Sequence, residues 1–179
     1  MKKISFVLTY TGTILAKIIK FYTRREYSHI SISLDEELTQ MYSFGRLNAY
    51  NPFKGGFVQE SPNYGTFKRF KNTKSLIFYL EVTDEQYYKI NSLIKYFQEH
   101  RQRYKFNTIG LFAVGLKIKW QKENSYYCAE FVKYIIENSI PNNILPEIIK
   151  PEDFRKIDDI KKVYEGKLSQ YNLNSKIHN

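Results

Sequence analysis

The chain is poor in the residues that usually staple a fold or hold a metal. Of its 179 residues one is cysteine, Cys128, and three are histidine: His29, His100 and His178. A lone cysteine makes no intramolecular disulfide and no multi-cysteine zinc site, and it fits a reducing compartment. No cofactor is expected. No apolar run is long enough to span a membrane. The start, Met1-Lys2-Lys3 and a moderately apolar stretch, has the look of a secretory signal, but Thr9 to Thr13 dilute it and Lys17 follows without a small-x-small cleavage site. A cytoplasmic location is therefore expected. The net charge is +10, yet no block of five or six like charges occurs. With no zinc-finger spacing, no RNA-recognition aromatic motif and no concentrated basic stripe, a nucleic-acid-binding domain is the weakest of the readings.

Aromatics are abundant instead, with 16 tyrosines and 13 phenylalanines. They carry large buried areas and suit a well-packed core. The length suits one domain, expected over residues 1–165, with a polar tail over 166–179. Ile4 to Thr9 reads as a buried strand, and Thr11-Gly12-Thr13 as a turn. Ile14 to Tyr22 reads as a short helix, with Ile14, Ile18 and Phe21 at helical spacing. Leu38 to Phe44 reads as a strand after an Asp35-Glu36-Glu37 turn. Residues 45–64 read as a long loop with a short strand at Phe57 to Glu60, because Asn51-Pro52 and Gly55-Gly56 are breakers. Ser75 to Val82 is a strand, and Thr83 to Gln86 has the form of a capping box that opens a helix to about Arg101. Tyr104 to Trp120 is ambiguous. Lys161 to Tyr164 reads as a closing strand.

Two stretches carry chemistry. Around Cys128, a polar run ending in Ser125 leads into a helix in which Cys128, Val132 and Ile135 share a face. Ser125 is the expected cap. A cysteine in the first turn meets free N–H groups and the helix dipole, which favour a thiolate. The same pattern also describes a small buried hydrophobe. A thiol nucleophile needs a nearby base, usually histidine, oriented by a third polar group. His178 falls in the tail and His100 near the end of an amphipathic helix. His29 stands in the alternating strand Tyr27 to Leu34, where Ile30, Ile32 and Leu34 point one way and His29, Ser31 and Ser33 the other. Glu130, two residues after the cysteine, reads as a structural first-turn carboxylate.

Tyr27-Ser28-His29-Ile30-Ser31-Ile32 resembles the histidine strand of permuted papain-like enzymes of the YaeF/YiiX type, and Tyr127-Cys128-Ala129-Glu130-Phe131-Val132 resembles their cysteine helix start. The order histidine first, cysteine last is the permuted one. Thr11-Gly12-Thr13 and Pro151-Glu152-Asp153-Phe154 are similar to the same family, which is related to NlpC-type and lecithin:retinol acyltransferase-like proteins. The resemblance covers roughly residues 4–165. It implies an α+β fold, a circularly permuted papain-like (NlpC-type) arrangement with an antiparallel sheet packed against helices. It implies Cys128 as nucleophile, with its N–H helping to form an oxyanion hole, and His29 as general base. The family's third residue, often glutamate, lies on the strand after the histidine. Here that region is Gln40-Met41-Tyr42-Ser43, with no carboxylate, so Gln40 or Ser43 is the expected orienting group and Glu60 a further candidate if the loop folds back.

The implied activity is a cysteine-dependent amide or ester hydrolase or acyltransferase, working through a thioester. The implied substrate is a small amide, a peptide or a lipid-like molecule. The positive charge suits an anionic lipid surface or cell-wall fragment as a partner. The alternative is a non-catalytic binding protein on the same fold, with Cys128 buried.

Overall fold

The computed structural model describes residues 1–48, 50–141 and 145–171, with Pro52 and Phe53 described by backbone only. In chain order it forms β1 (Lys2–Tyr10), α1 (Ile14–Thr23), β2 (His29–Ser33), β3 (Met41–Asn48), β4 (Asn51–Glu60) and α2 (Gly65–Arg69). There follow β5 (Lys74–Val82), α3 (Asp84–Glu99), β6 (Lys105–Phe106), α4 (Thr108–Gly115), β7 (Ser125–Tyr126), α5 (Cys128–Ser139) and β8 (Lys161–Lys167). A 3-10 turn spans Pro151–Lys156.

Six strands make one sheet in the order β4-β3-β2-β1-β5-β8, all neighbours antiparallel. The fold is therefore mixed α+β, an antiparallel sheet packed against helices. Alternation sets its two faces. Phe6, Leu8, Ile30, Ile32, Phe44 and Phe78 point into the main core, where Ile90, Ile94 and Phe97 of α3 and Phe131, Val132 and Ile135 of α5 cover them. On the other face Val7, Met41 and Ile77 meet Phe67 of α2 and Leu168 in a smaller cluster. That second face is otherwise lined with buried hydroxyls, among them Ser5, Thr9, Ser31, Ser33, Ser43 and Ser75.

Local signals explain the helix starts. Thr13 accepts the Ala16 N–H and caps α1. Thr83 and Gln86 form the reciprocal capping box of α3, at 3.1 and 2.9 Å. The expected cap of the cysteine helix is corrected. Tyr127 holds the N-cap position, and Glu130 reaches back to accept its N–H at 3.0 Å, while the Ser125 hydroxyl turns to the Glu123 carbonyl.

The long loop expected over residues 45–64 is also corrected. β3 runs on to Asn48 and β4 starts at Asn51, so most of that stretch is a hairpin paired from Met41 with Glu60 to Asn48 with Asn51. Gly55, read as a breaker, is a contact point: a Cβ there would stand 2.8 Å from the Phe106 side chain. Leu38 precedes its strand in a left-handed turn with φ 59°. β8 carries past residue 165, and Leu168 is buried, so packed structure reaches into the stretch expected as tail. The rest of that tail, from residue 172 and including His178, lies outside the described residues.

Candidate active site

Cys128 is the first residue of α5, and α5 lies across β2 and β3. Its N–H, like the others of the first turn, has no acceptor within the helix. The side chain is 3 % exposed. His29 is the first residue of β2. It faces the hydroxyl-lined side of the sheet, yet because it stands at the strand's end its ring reaches the place where α5 begins. Both side chains line one cleft, and the imidazole is in hydrogen-bonding reach of the thiol.

Glu60, the last residue of β4, completes the group. Its carboxylate oxygens lie 3.1 and 3.0 Å from His29 Nε2. Ser31 donates to the same carboxylate at 2.5 Å, so the acid is itself held in place. Burial opposes a charge on the imidazole, but the Glu60 carboxylate, with the hydrogen bonds to Cys128 and Glu60, overrides it and raises the His29 pKa from 6.5 to about 10. The ring therefore carries its second proton at neutral pH.

Gln40 and Ser43 are not part of this group. Gln40 precedes β3 on an exposed turn, where its backbone carbonyl accepts from Leu34 N–H. Ser43 is buried and donates to the Ile30 carbonyl at 2.6 Å. Two further residues were not singled out as site residues in the sequence. Ser31 stands two residues after His29 on the same strand face, a spacing visible from alternation alone. Gly45 lies under the pair: a Cβ there would stand 3.3 Å from both Glu60 Oε1 and His29 Cε1. Only the folded hairpin reveals that approach.

The surroundings fix both partners. Glu130, half-buried, accepts from Tyr127 N–H and from Asn107 Nδ2 at 3.3 Å, consistent with a structural role. Burial pushes its carboxyl up, and those two donors pull it back. The segment from Ile149 to Glu152, which runs into the Pro151–Lys156 turn, touches both reactive segments. Glu152 accepts the N–H groups of Glu26 and Tyr27, just before His29, at 2.6 and 3.1 Å. Tyr127, just before Cys128, donates its hydroxyl to the Ile149 carbonyl at 3.0 Å. Elsewhere in the cleft, the partly buried Arg46 donates to Thr13 at 2.7 Å.

No family model matches the sequence, and no curated protein matches it. A solved structure does: the metalloprotein YiiX from Escherichia coli O157:H7, at a TM-score of 0.54 and 12% identity, over 92% of this chain and 97% of that one. Among the described residues no group of three or more histidine, cysteine, aspartate or glutamate side chains is placed to hold a metal ion. The likeness spans nearly the whole of both chains, and this chain has the fold of YiiX.

Proposed function

We propose that the chain is a thiol-dependent amide or ester hydrolase or acyltransferase on a circularly permuted papain-like architecture. The observation that carries this reading is one cleft holding a first-turn cysteine beside a histidine bonded to a buried carboxylate. Glu60, the further candidate of the sequence reading, takes the orienting role in place of Gln40 or Ser43. The order of His29 before Cys128 suits the permuted architecture.

With Nε2 turned to Glu60, Nδ1 is the nitrogen left for the thiol. In the resting pair His29 already holds the Cys128 proton as an imidazolium, and Glu60 stabilises that charge. The sulfur attacks a substrate carbonyl carbon, a C–S bond forms and the oxygen gains negative charge. The Cys128 N–H, backed by the α5 dipole, is directed at that oxygen. As the C–N or C–O bond breaks, His29 returns its proton to the leaving amine or alcohol, and a thioester remains. Water, losing a proton to His29, releases the acid, whereas a second amine or alcohol gives transfer. Small amides, peptides and lipid-like amides or esters are the substrate classes. YiiX is described as a metalloprotein, but the donor set here does not fit a metal, and no step is routed through one.

The test is the rate of iodoacetamide alkylation against pH, in the wild type and in His29→Ala. Cys128 is the only cysteine, so every label reports on it. A thiol whose proton sits on a neighbouring histidine reacts well below the free-thiol pKa of about 8.5. The wild type should react near pH 6 and the variant should not. An inert Cys128 in both proteins would leave a binding protein with a core cysteine.

A further inference from the structure

The helix stripe that the sequence suggested for α1 is real, but it faces outward. Ala16 and Ile19 are buried, whereas Ile14 and Phe21 are 78% and 79% exposed and Ile18 is exposed beside them. α4 does the same with Ile109 and Phe112, and Leu116 just past its end is exposed too. The two helices pack through Tyr22, whose Cβ would sit 2.8 Å from a Cβ at Gly115. Phe21, Tyr22 and Phe112 follow one another edge to face at 5.7 and 6.4 Å, so the exposed side chains form one surface across both helices. An apolar patch of this kind on a water-facing surface marks an interaction site.

Charge says which kind. Residues 14–25 and 105–122 contain no aspartate or glutamate at all. They do contain Lys17, Lys20, Arg24, Lys117 and Lys122. Among the described residues, acids from other elements reach these two stretches at Lys119 (Glu147), Arg25 (Glu152) and Asn107 (Glu130). Exposed bulky aliphatic and aromatic side chains on two helices that carry cations and no acid of their own are the pattern of a surface that beds into the headgroup layer of an anionic bilayer. Among the described residues no helix is long and apolar enough to cross a membrane, so the contact would be interfacial.

We infer that the α1–α4 face docks on membranes rich in anionic lipid. The same two helices supply Leu15, Ala16, Ile19 and Leu111 to the wall of the cleft that holds His29 and Cys128. Docking would therefore bring the cleft to the bilayer. Delivery of a lipid amide or ester to Cys128 rests on the proposed function; docking itself does not.

The experiment is flotation of the full chain with vesicles of phosphatidylcholine alone or mixed with phosphatidylserine, with sedimentation analysis of the protein alone. Wild type should float with the mixed vesicles and release as salt rises. The double change Ile14→Ser and Phe21→Ser should cut binding at least about tenfold. Lys17→Glu should cut it about fivefold or more. Both apolar sites are exposed, and an unchanged melting curve will show that the variants are folded. The inference is overturned if wild type floats with neither vesicle, if the double variant binds like wild type, or if the face instead joins a dimer that the double change dissociates. None of these readouts involves Cys128, so failure here is separate from failure of the thiol chemistry.

Discussion

The carboxylate of Glu60 meets Nε2 of His29 at 3.0 Å, across 31 residues of sequence. Everything the site is asked to do depends on that contact, because it decides whether the imidazole is charged. Glu60→Gln keeps the shape and removes the charge. The charge that outweighs burial is then gone and only the Cys128 contribution still opposes it, so the His29 pKa should fall from about 10. Carbon-13 NMR of histidine-labelled protein across pH measures this directly. The alkylation rate of Cys128 at pH 6 should drop about tenfold or more. A His29 titration unmoved by the change would sink the assignment of Glu60.

The same shift makes a prediction for stability. Folding raises the His29 pKa from 6.5 to about 10. A raised pKa contributes stability that is fully present below pH 6.5 and is lost as pH climbs through 10. Urea midpoints of the wild type should therefore fall across that window. In His29→Ala and in Glu60→Gln the fall should be smaller. Equal slopes in all three proteins would mean that the pair adds nothing to folding.

Gly45→Ala tests the close approach beneath the pair. The added methyl meets Glu60 Oε1 and His29 Cε1 at 3.3 Å, so each must give by a few tenths of an ångström. Stability should fall by about 1 to 3 kcal/mol. Alkylation at pH 6 should fall as well, because the methyl presses on the two groups that set the imidazole's charge. A variant as reactive and as stable as wild type would show that the hairpin yields easily there.

Glu152→Ala removes the acceptor of two backbone N–H groups ahead of His29. Its side chain is 11% exposed, and charged hydrogen bonds of this kind contribute about 1.5 to 3 kcal/mol. A loss of about 2 kcal/mol is expected in chemical unfolding, with slower alkylation at pH 6. Glu152→Gln, which keeps an acceptor, should restore part of both.

Much of this was legible in local patterns. The strict alternation of Tyr27 to Leu34, the Thr83–Gln86 box and the apolar stripe of α3 each depend on near neighbours in sequence. So does the first-turn position of Cys128. The site's third member was not legible in the same way. The family resemblance pointed first to Gln40 or Ser43, on the strand that follows the histidine, and to Glu60 only if the loop folded back. In the fold, Ser43 is committed to the Ile30 carbonyl, and the acid comes from the far end of the next hairpin. That hairpin was hidden by Asn51-Pro52 and Gly55-Gly56, which read as loop. Gly55 is glycine because Phe106 presses on the backbone, a reason that no local rule contains. Ser125 failed as a cap for a similar reason, since Glu130 was close enough to do the work from inside the helix.

The segment from Ile149 to Glu152 ties down the residues just before His29 and just before Cys128. During synthesis the histidine emerges first and the cysteine about a hundred residues later, as their numbers require. Neither anchor exists until some twenty residues more have followed. The thiol and its base are thus brought into register by nearly the last part of the described chain to be made, and a truncated product would carry both groups without the brace that aligns them.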